Sequence, residues 1–347
     1  MNVILKGIST KLTFLALIAG MTALLSSCNP SNSKESRVIK IDVSSSVYPV
    51  TQEAANEFSF INNKDPNQTP TKVKIDVSGT SAGFKKFCAG ETDINNASRP
   101  IHDHEIKDCD HARVRYMELP IAFDAITLVV KSQNQWAKDI TLAEIKKIWE
   151  PSAEGKITKW NQIRASWPDL PLKLYGSTKD SGTFDYFTEA VVGQEGAIRK
   201  DYIAEKDYRI LTQKVGNDPN ALTFIPYAYY HSNKDILKPL AVDNGSGEVF
   251  PSRQTVKWGQ YQPFSRPLFI YVNSKATQDK PAVKEFVEFY INKSPELVSI
   301  VGYVPLTDET YKLDRVHFTQ GKVGTVFDGQ SQFNLTLEEL LKKEAKF

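Results

Sequence analysis

The chain has 347 residues, with 43 Lys and Arg against 41 Asp and Glu and a formal net charge of +2. So even a balance offers no basic excess for nucleic acid, which excludes a polyanion-binding body. The length exceeds what one hydrophobic core usually serves, so two domains are expected.

In chain order, residues 1–27 read as a lipoprotein signal peptide. Lys6 and Lys11 stand without an acid before an apolar run from Leu12 to Leu25, which ends in Leu25-Ser26-Ser27-Cys28. The run is short for a stop-transfer helix, and the small residues before the cysteine match the pattern after which bacterial lipoproteins are cleaved and acylated. Cys28 is therefore the expected lipidation site; an ordinary secretory signal is the competing reading. Cleavage removes two lysines and no acid, leaving basic and acidic residues level at 41 each. The Ser- and Asn-containing residues 28–36 read as a flexible tether ahead of a body of about 310 residues.

The body opens on VIKIDV from Val38, a β-branched run that reads as a buried strand, followed by the hydroxyl-rich turn Ser44-Ser45-Ser46. KVKIDV from Lys72 repeats the arrangement, followed by Ser78-Gly79-Thr80-Ser81-Ala82-Gly83 and the helical FKKFCAG. Beyond the lipobox, the body holds only Cys88 and Cys109, and export into an oxidising compartment makes a disulfide between them the expectation. A metal site is the alternative, because His102, His104, Cys109 and His111 crowd one stretch, although their spacing matches no closed zinc pattern. AITLVV from Ala125 is the next strand, and Thr141 with Glu144 forms a capping box opening LAEIKKIW. LKLYG from Leu172 leads into Gly176-Ser177-Thr178-Lys179-Asp180-Ser181-Gly182-Thr183 and a third helix. LFIYV from Leu268 is a final strand, and Pro281 opens a helix with Val283, Phe286, Val287 and Tyr290 on one face.

Three turns thus each link a strand to a helix and are rich in Ser, Thr or Gly. A helix start offers unpaired N–H groups and partial positive charge, and hydroxyls add neutral donors, so three such ends converging would bind an anion. Any one of them alone is more simply an N-cap.

These residues resemble the phosphate-binding subunits of bacterial phosphate ABC transporters, the PstS-like family. The resemblance rests on IDVSSSVYPV from Ile41, SGTSAGFKKFCAGETDINNASRPI from Ser78, PIAFDAITLVV from Pro120 and LYGSTKDSGTFDYFTEA from Leu174, with AYY from Ala228 and RPLFIYVN from Arg266. It implies the α/β periplasmic-binding-protein type II fold, with two domains joined by two crossing strands as a hinge. Residues 37–126 and 264–347 would form domain one and residues 127–263 domain two. The implied phosphate ligands are Ser45, Ser46, Thr80, Ser81 and Arg99 from domain one, with Ser181, Gly182 and Thr183 from domain two. Asp180 would accept the proton of hydrogen phosphate, or else cap the helix. Val43, Ala82, Thr223 and Pro226 stand where relatives commonly have glycine. Some members carry an acid at the Arg99 position and an arginine at the Ser177 position.

The expected function is high-affinity capture of inorganic phosphate between the domains and delivery to a membrane permease. The protein would be an exported, lipid-anchored monomer on the periplasmic or outer face of a bacterial membrane, with no cofactor or metal. An exported phosphomonoester hydrolase is the alternative. It has no anchor in the sequence, which lacks a Gly-x-Ser-x-Gly elbow, a His-Glu-x-x-His motif and a phosphate loop ending in Gly-Lys-Ser/Thr.

Overall fold

A computed structural model describes residues 37–64 and 70–347 of the chain. The signal peptide, Cys28 and the tether lie outside the described residues. The strands are β1 (Val38–Val43), β2 (Lys72–Asp76), β3 (Ile94–Ala97), β4 (Tyr116–Lys131), β5 (Asp139–Thr141), β6 (Lys173–Gly176), β7 (Ile203–Ala204), β8 (Ala221–Pro226), β9 (Leu237–Pro239), β10 (Ala241–Asp243), β11 (Glu248–Val249) and β12 (Ser265–Asn273). Among the described residues, nine of them form one sheet along the path β2-β1-β3-β12-β4-β8-β6-β7, with β9 also on β4, while β11-β10-β5 make a small second sheet.

Every strand read from the sequence is present, but β2 is an edge strand whose residues alternate exposed and half-buried rather than a buried one, and β4 is longer than AITLVV. β4 runs for 16 residues, and all but the last are buried. Its length follows from serving two sets of partners. Residues Tyr116 to Ala125 pair antiparallel with β12, and Ile126 to Lys131 pair with β8 and β9. A strand buried on both faces needs a near-continuous apolar run, which the sequence supplies after Asp124. Pro120 falls where the register with β12 shifts, a place in a sheet that tolerates a missing N–H.

Parallel pairing of β1 with β2 and β3 forces crossover helices, and β6 beside β8 does the same on the other flank. The helix after Pro281 continues to Ile300, through Pro295, and buries Val283, Phe286, Val287 and Tyr290 as its periodicity requires. Together with the helix Tyr48–Asn62 it covers the face of β1 and β3, where Phe58 meets Phe286 edge to face at 5.1 Å. The expected capping box forms: the Glu144 amide donates to Thr141 Oγ1 at 3.2 Å, opening the helix Leu142–Trp149.

Cys88 and Cys109 form the expected disulfide, tying the end of the helix Thr80–Cys88 to the helix Asp103–His111. Cys109 is thus committed. His102 sets its Nδ1 3.0 Å from Glu195 and its Nε2 3.2 Å from Ser331 Oγ, so that histidine makes a structural contact.

Candidate functional site

All three strand-to-helix turns converge where β1 and β3 face the end of β6 across the β12–β4 pair. At the first, Ser44 directs its amide to the Asn96 carbonyl of β3 at 2.8 Å, and its own carbonyl receives the amides of Val47 and Tyr48. Its hydroxyl donates to Ser98 Oγ at 2.9 Å and accepts from the Ser46 amide at 3.2 Å. At the second, Gly79 caps the helix Thr80–Cys88 with φ 106°, a left-handed value glycine adopts freely. Thr80 Oγ1 then lies 3.3 Å from Ser98 Oγ. At the third, Ser181 caps the helix Gly182–Val192 by accepting from the Thr183 amide at 3.2 Å.

The turns touch. Ser46 Oγ and Thr183 Oγ1 are 2.7 Å apart. A Cβ at Gly182 would sit 2.4 Å from Thr80 Oγ1 and 2.6 Å from Ser98 Oγ, and one at Gly79 would sit 2.1 Å from the Asp180 carbonyl oxygen. Backbone from the turn after β6 therefore approaches the loops after β2 and β3 as closely as glycine permits. The result is a cluster of buried hydroxyls at the starts of helices whose first-turn amides have no acceptor within the helix, an arrangement suited to an anion.

Two fully buried arginines flank the cluster. Arg266, on β12, stands in register with Asp124 of β4 and bonds its carboxylate through Nε and Nη2 at 3.2 and 2.9 Å. Nη2 also reaches Ser46 Oγ at 3.2 Å and Thr183 Oγ1 at 2.6 Å, while Nη1 donates to the Gly182 carbonyl at 3.1 Å. Asp124 is itself held by the amides of Ala125 and Tyr227.

Arg99 stands one residue beyond the hydroxyl cluster and is differently engaged. Nη1 and Nη2 each meet Glu105 at 2.8 Å, Nη1 also donates to the Pro100 carbonyl, Nη2 to Ser81 Oγ and Nε to Asp185 Oδ2 at 3.0 Å. Its five N–H donors all have protein acceptors. Burial opposes the guanidinium's charge, but Glu105 and Asp185 outweigh it and hold its pKa above the usual value. Burial pushes Asp185 up to about 6, against the pull of Arg99 and Ser81.

Of the expected ligands, Ser46, Thr80, Gly182 and Thr183 are brought together, and Ser181 acts as cap while its hydroxyl meets Tyr208 at 3.1 Å. Ser45 sits at the edge, its hydroxyl on the Lys206 carbonyl at 3.3 Å and its own carbonyl accepting from Tyr229. Ser81 is turned to Asp185 Oδ2 at 2.9 Å. Asp180 is exposed at the rim of a cavity of about 270 Å³ shared with Lys85 and His104, and the helix cap is Ser181 instead. Sequence reasoning did not single out Ser44, Ser98, Asp124 or Asp185. Ser98 directly precedes Arg99, and Asp124 interrupts an apolar strand, which is the signal that could have found it.

A family model described as the PBP superfamily domain matches residues 30–294. The chain is 49% identical to Protein SphX of Synechocystis sp., over 93% of this chain and 94% of that protein. It is 33% identical to the phosphate-binding protein PstS of Staphylococcus saprophyticus, over 86% of this chain and 92% of that one. The crystal structure of a possible phosphate-binding protein from Planctomyces limnophilus is 36% identical and superposes with a TM-score of 0.62, covering 82% of this chain and 98% of that one. A putative phosphate ABC transporter substrate-binding protein from Clostridium perfringens, 24% identical, shares the fold at a TM-score of 0.65 over 78% of this chain and all of that one. The fold is the α/β type II fold of periplasmic binding proteins, and the chain belongs to the PBP superfamily, in its PstS-like family.

Proposed function

We propose that this protein captures inorganic phosphate in the hydroxyl cluster and hands it to the permease of an ABC transporter. The observation that carries the reading is the meeting of Ser46 and Thr183 at 2.7 Å beneath Arg266, with two helix starts at the same point. A dianion taken out of water needs every oxygen met by donors. Hydroxyls of Ser46, Thr80 and Thr183 and the amides of Ser45, Ser81 and Gly182 supply them, with Ser181 holding the helix start in place. Arg266 contributes positive charge through the hydroxyls it touches.

Residues 37–126 with 264–347 form one lobe and residues 127–263 the other, with β4 and β12 as the hinge between them. Closure on phosphate aligns the lobes, and the permease reads the closed form. Cys28 carries the lipid that keeps the protein at the membrane.

Calorimetric titration of the mature, lipid-free protein with phosphate, sulfate and arsenate tests the reading. Phosphate should bind tightly at one site; no heat with phosphate overturns it. Turnover of a phosphomonoester would instead favour the hydrolase. Mass spectrometry of the membrane-extracted protein and of Cys28→Ser tests the anchor, which falls if the wild type carries no acyl chains.

A further inference from the structure

Arg99 is placed to hold the cleft shut. It springs from the end of β3 in the first lobe, Asp185 lies in the first turn of the helix Gly182–Val192 in the second, and the two meet at 3.0 Å. Ser81, at the start of the helix Thr80–Cys88, donates to the same Asp185 oxygen at 2.9 Å. One carboxylate oxygen of the second lobe is therefore gripped by two groups of the first.

The grip is braced from behind. Glu105 takes both terminal nitrogens of Arg99 as a fork and also accepts from the His102 amide at 2.8 Å. Its helix is pinned by the Cys88–Cys109 disulfide, and the Phe84 ring lies 5.7 Å from the guanidinium carbon. Arg99, Glu105 and Asp185 are 0, 4 and 3% exposed, so solvent screens the set little. Alongside it, His102 of the first lobe faces Glu195 of the second at 3.0 Å. The first-turn placement matters: Asp185 is three residues beyond Gly182, so whatever fixes Asp185 also fixes the amide and hydroxyl that face Ser46 and Thr80.

We propose that Arg99 is a positioning residue, a latch that acts across the cleft through Asp185, and that it does not itself touch the bound anion. The proposal rests on the phosphate-binding reading for its ligand but makes a claim about closure that can be read without one. A latch formed only after the lobes meet acts on escape and leaves capture alone.

The test compares wild type, Arg99→Lys, Asp185→Asn and the double variant. Asp185→Asn keeps the shape and an acceptor for Ser81, so it avoids stranding a buried charge, and circular dichroism checks each fold. Stopped-flow phosphate release should be about 10- to 100-fold faster in each single variant, with association within about threefold of wild type. The double variant should be no worse than the more damaged single, because the two residues act as one unit. Additive losses, or a much larger loss in Arg99→Lys than in Asp185→Asn, would show Arg99 on the anion and overturn the latch. If wild type binds no phosphate, the anion-site reading fails separately. Small-angle scattering of the ligand-free proteins then decides the latch: Asp185→Asn should have a larger radius of gyration than wild type, and equal radii reject it.

Discussion

Ser46 and Thr183, 137 positions apart in the chain, meet hydroxyl to hydroxyl at 2.7 Å and share the Nη2 group of Arg266 at 3.2 and 2.6 Å. Neither the turn after β1 nor the helix start after β6 makes this cluster alone. Thr183→Ala removes one hydroxyl that would face a charged oxygen and leaves the helix cap at Ser181 intact. Phosphate affinity should fall by about 1 to 2 kcal/mol, roughly 5- to 30-fold, in calorimetric titration. An unchanged affinity would move the anion away from this helix start.

Gly182 is where the helix start packs against the second turn with no room to spare. A methyl group there would meet Thr80 Oγ1 at 2.4 Å and Ser98 Oγ at 2.6 Å, yet the backbone angles are ordinary ones, so alanine strains nothing within its own helix. Gly182→Ala should keep the unfolding free energy of wild type within about 0.5 kcal/mol. Phosphate affinity should drop at least about 100-fold, since relieving the overlap means holding the lobes apart. Wild-type affinity in this variant would mean the approach is not part of the bound state.

The Cys88–Cys109 bridge closes a loop with a sequence separation of 21 and anchors the helix that carries Glu105. Replacing both cysteines by serine should cost about 3 kcal/mol of stability, measured by urea unfolding at equilibrium. Reduction of the wild type should reproduce the loss, and a midpoint unmoved by either change would count against the bridge as a stabilising link.

Strands and turns were legible because their signals are local. VIKIDV has the composition of the buried strand it forms, KVKIDV has the alternation of an edge strand, and each Ser- or Gly-rich turn stands next to the helix it starts. What escaped was pairing across the fold. Glu105, six residues beyond Arg99, is one acid among several in its stretch and does not by itself mark an ion pair, and the other partner, Asp185, is 86 residues away. Arg266 could be read as a strand residue, but its role depends on β12 lying against β4 in the register that sets it beside Asp124. Asp185 itself sits in a helical stretch where a lone acid reads as first-turn charge complementing the dipole.

The buried carboxyl of Glu118 makes stability depend on pH. Glu118 lies within β4, 3% exposed, receiving bonds from Tyr271, Thr325 and the Val326 amide. Burial, with the nearby Glu344, outweighs those donors and pushes its pKa from 4.5 up to about 8. Between those values the folded protein holds a proton that the unfolded chain has released. The stability this group contributes is therefore full below about pH 4.5 and is lost as pH rises toward 8, by at most about 1.4 kcal/mol per unit. Glu118→Gln fixes the neutral form. Urea unfolding at pH 5, 6.5 and 8 should show wild type losing stability relative to the variant as pH rises, with the gap levelling off above pH 8. Parallel pH curves for the two proteins would mean that Glu118 is ionised in the folded state and that its three donors, not burial, set its charge.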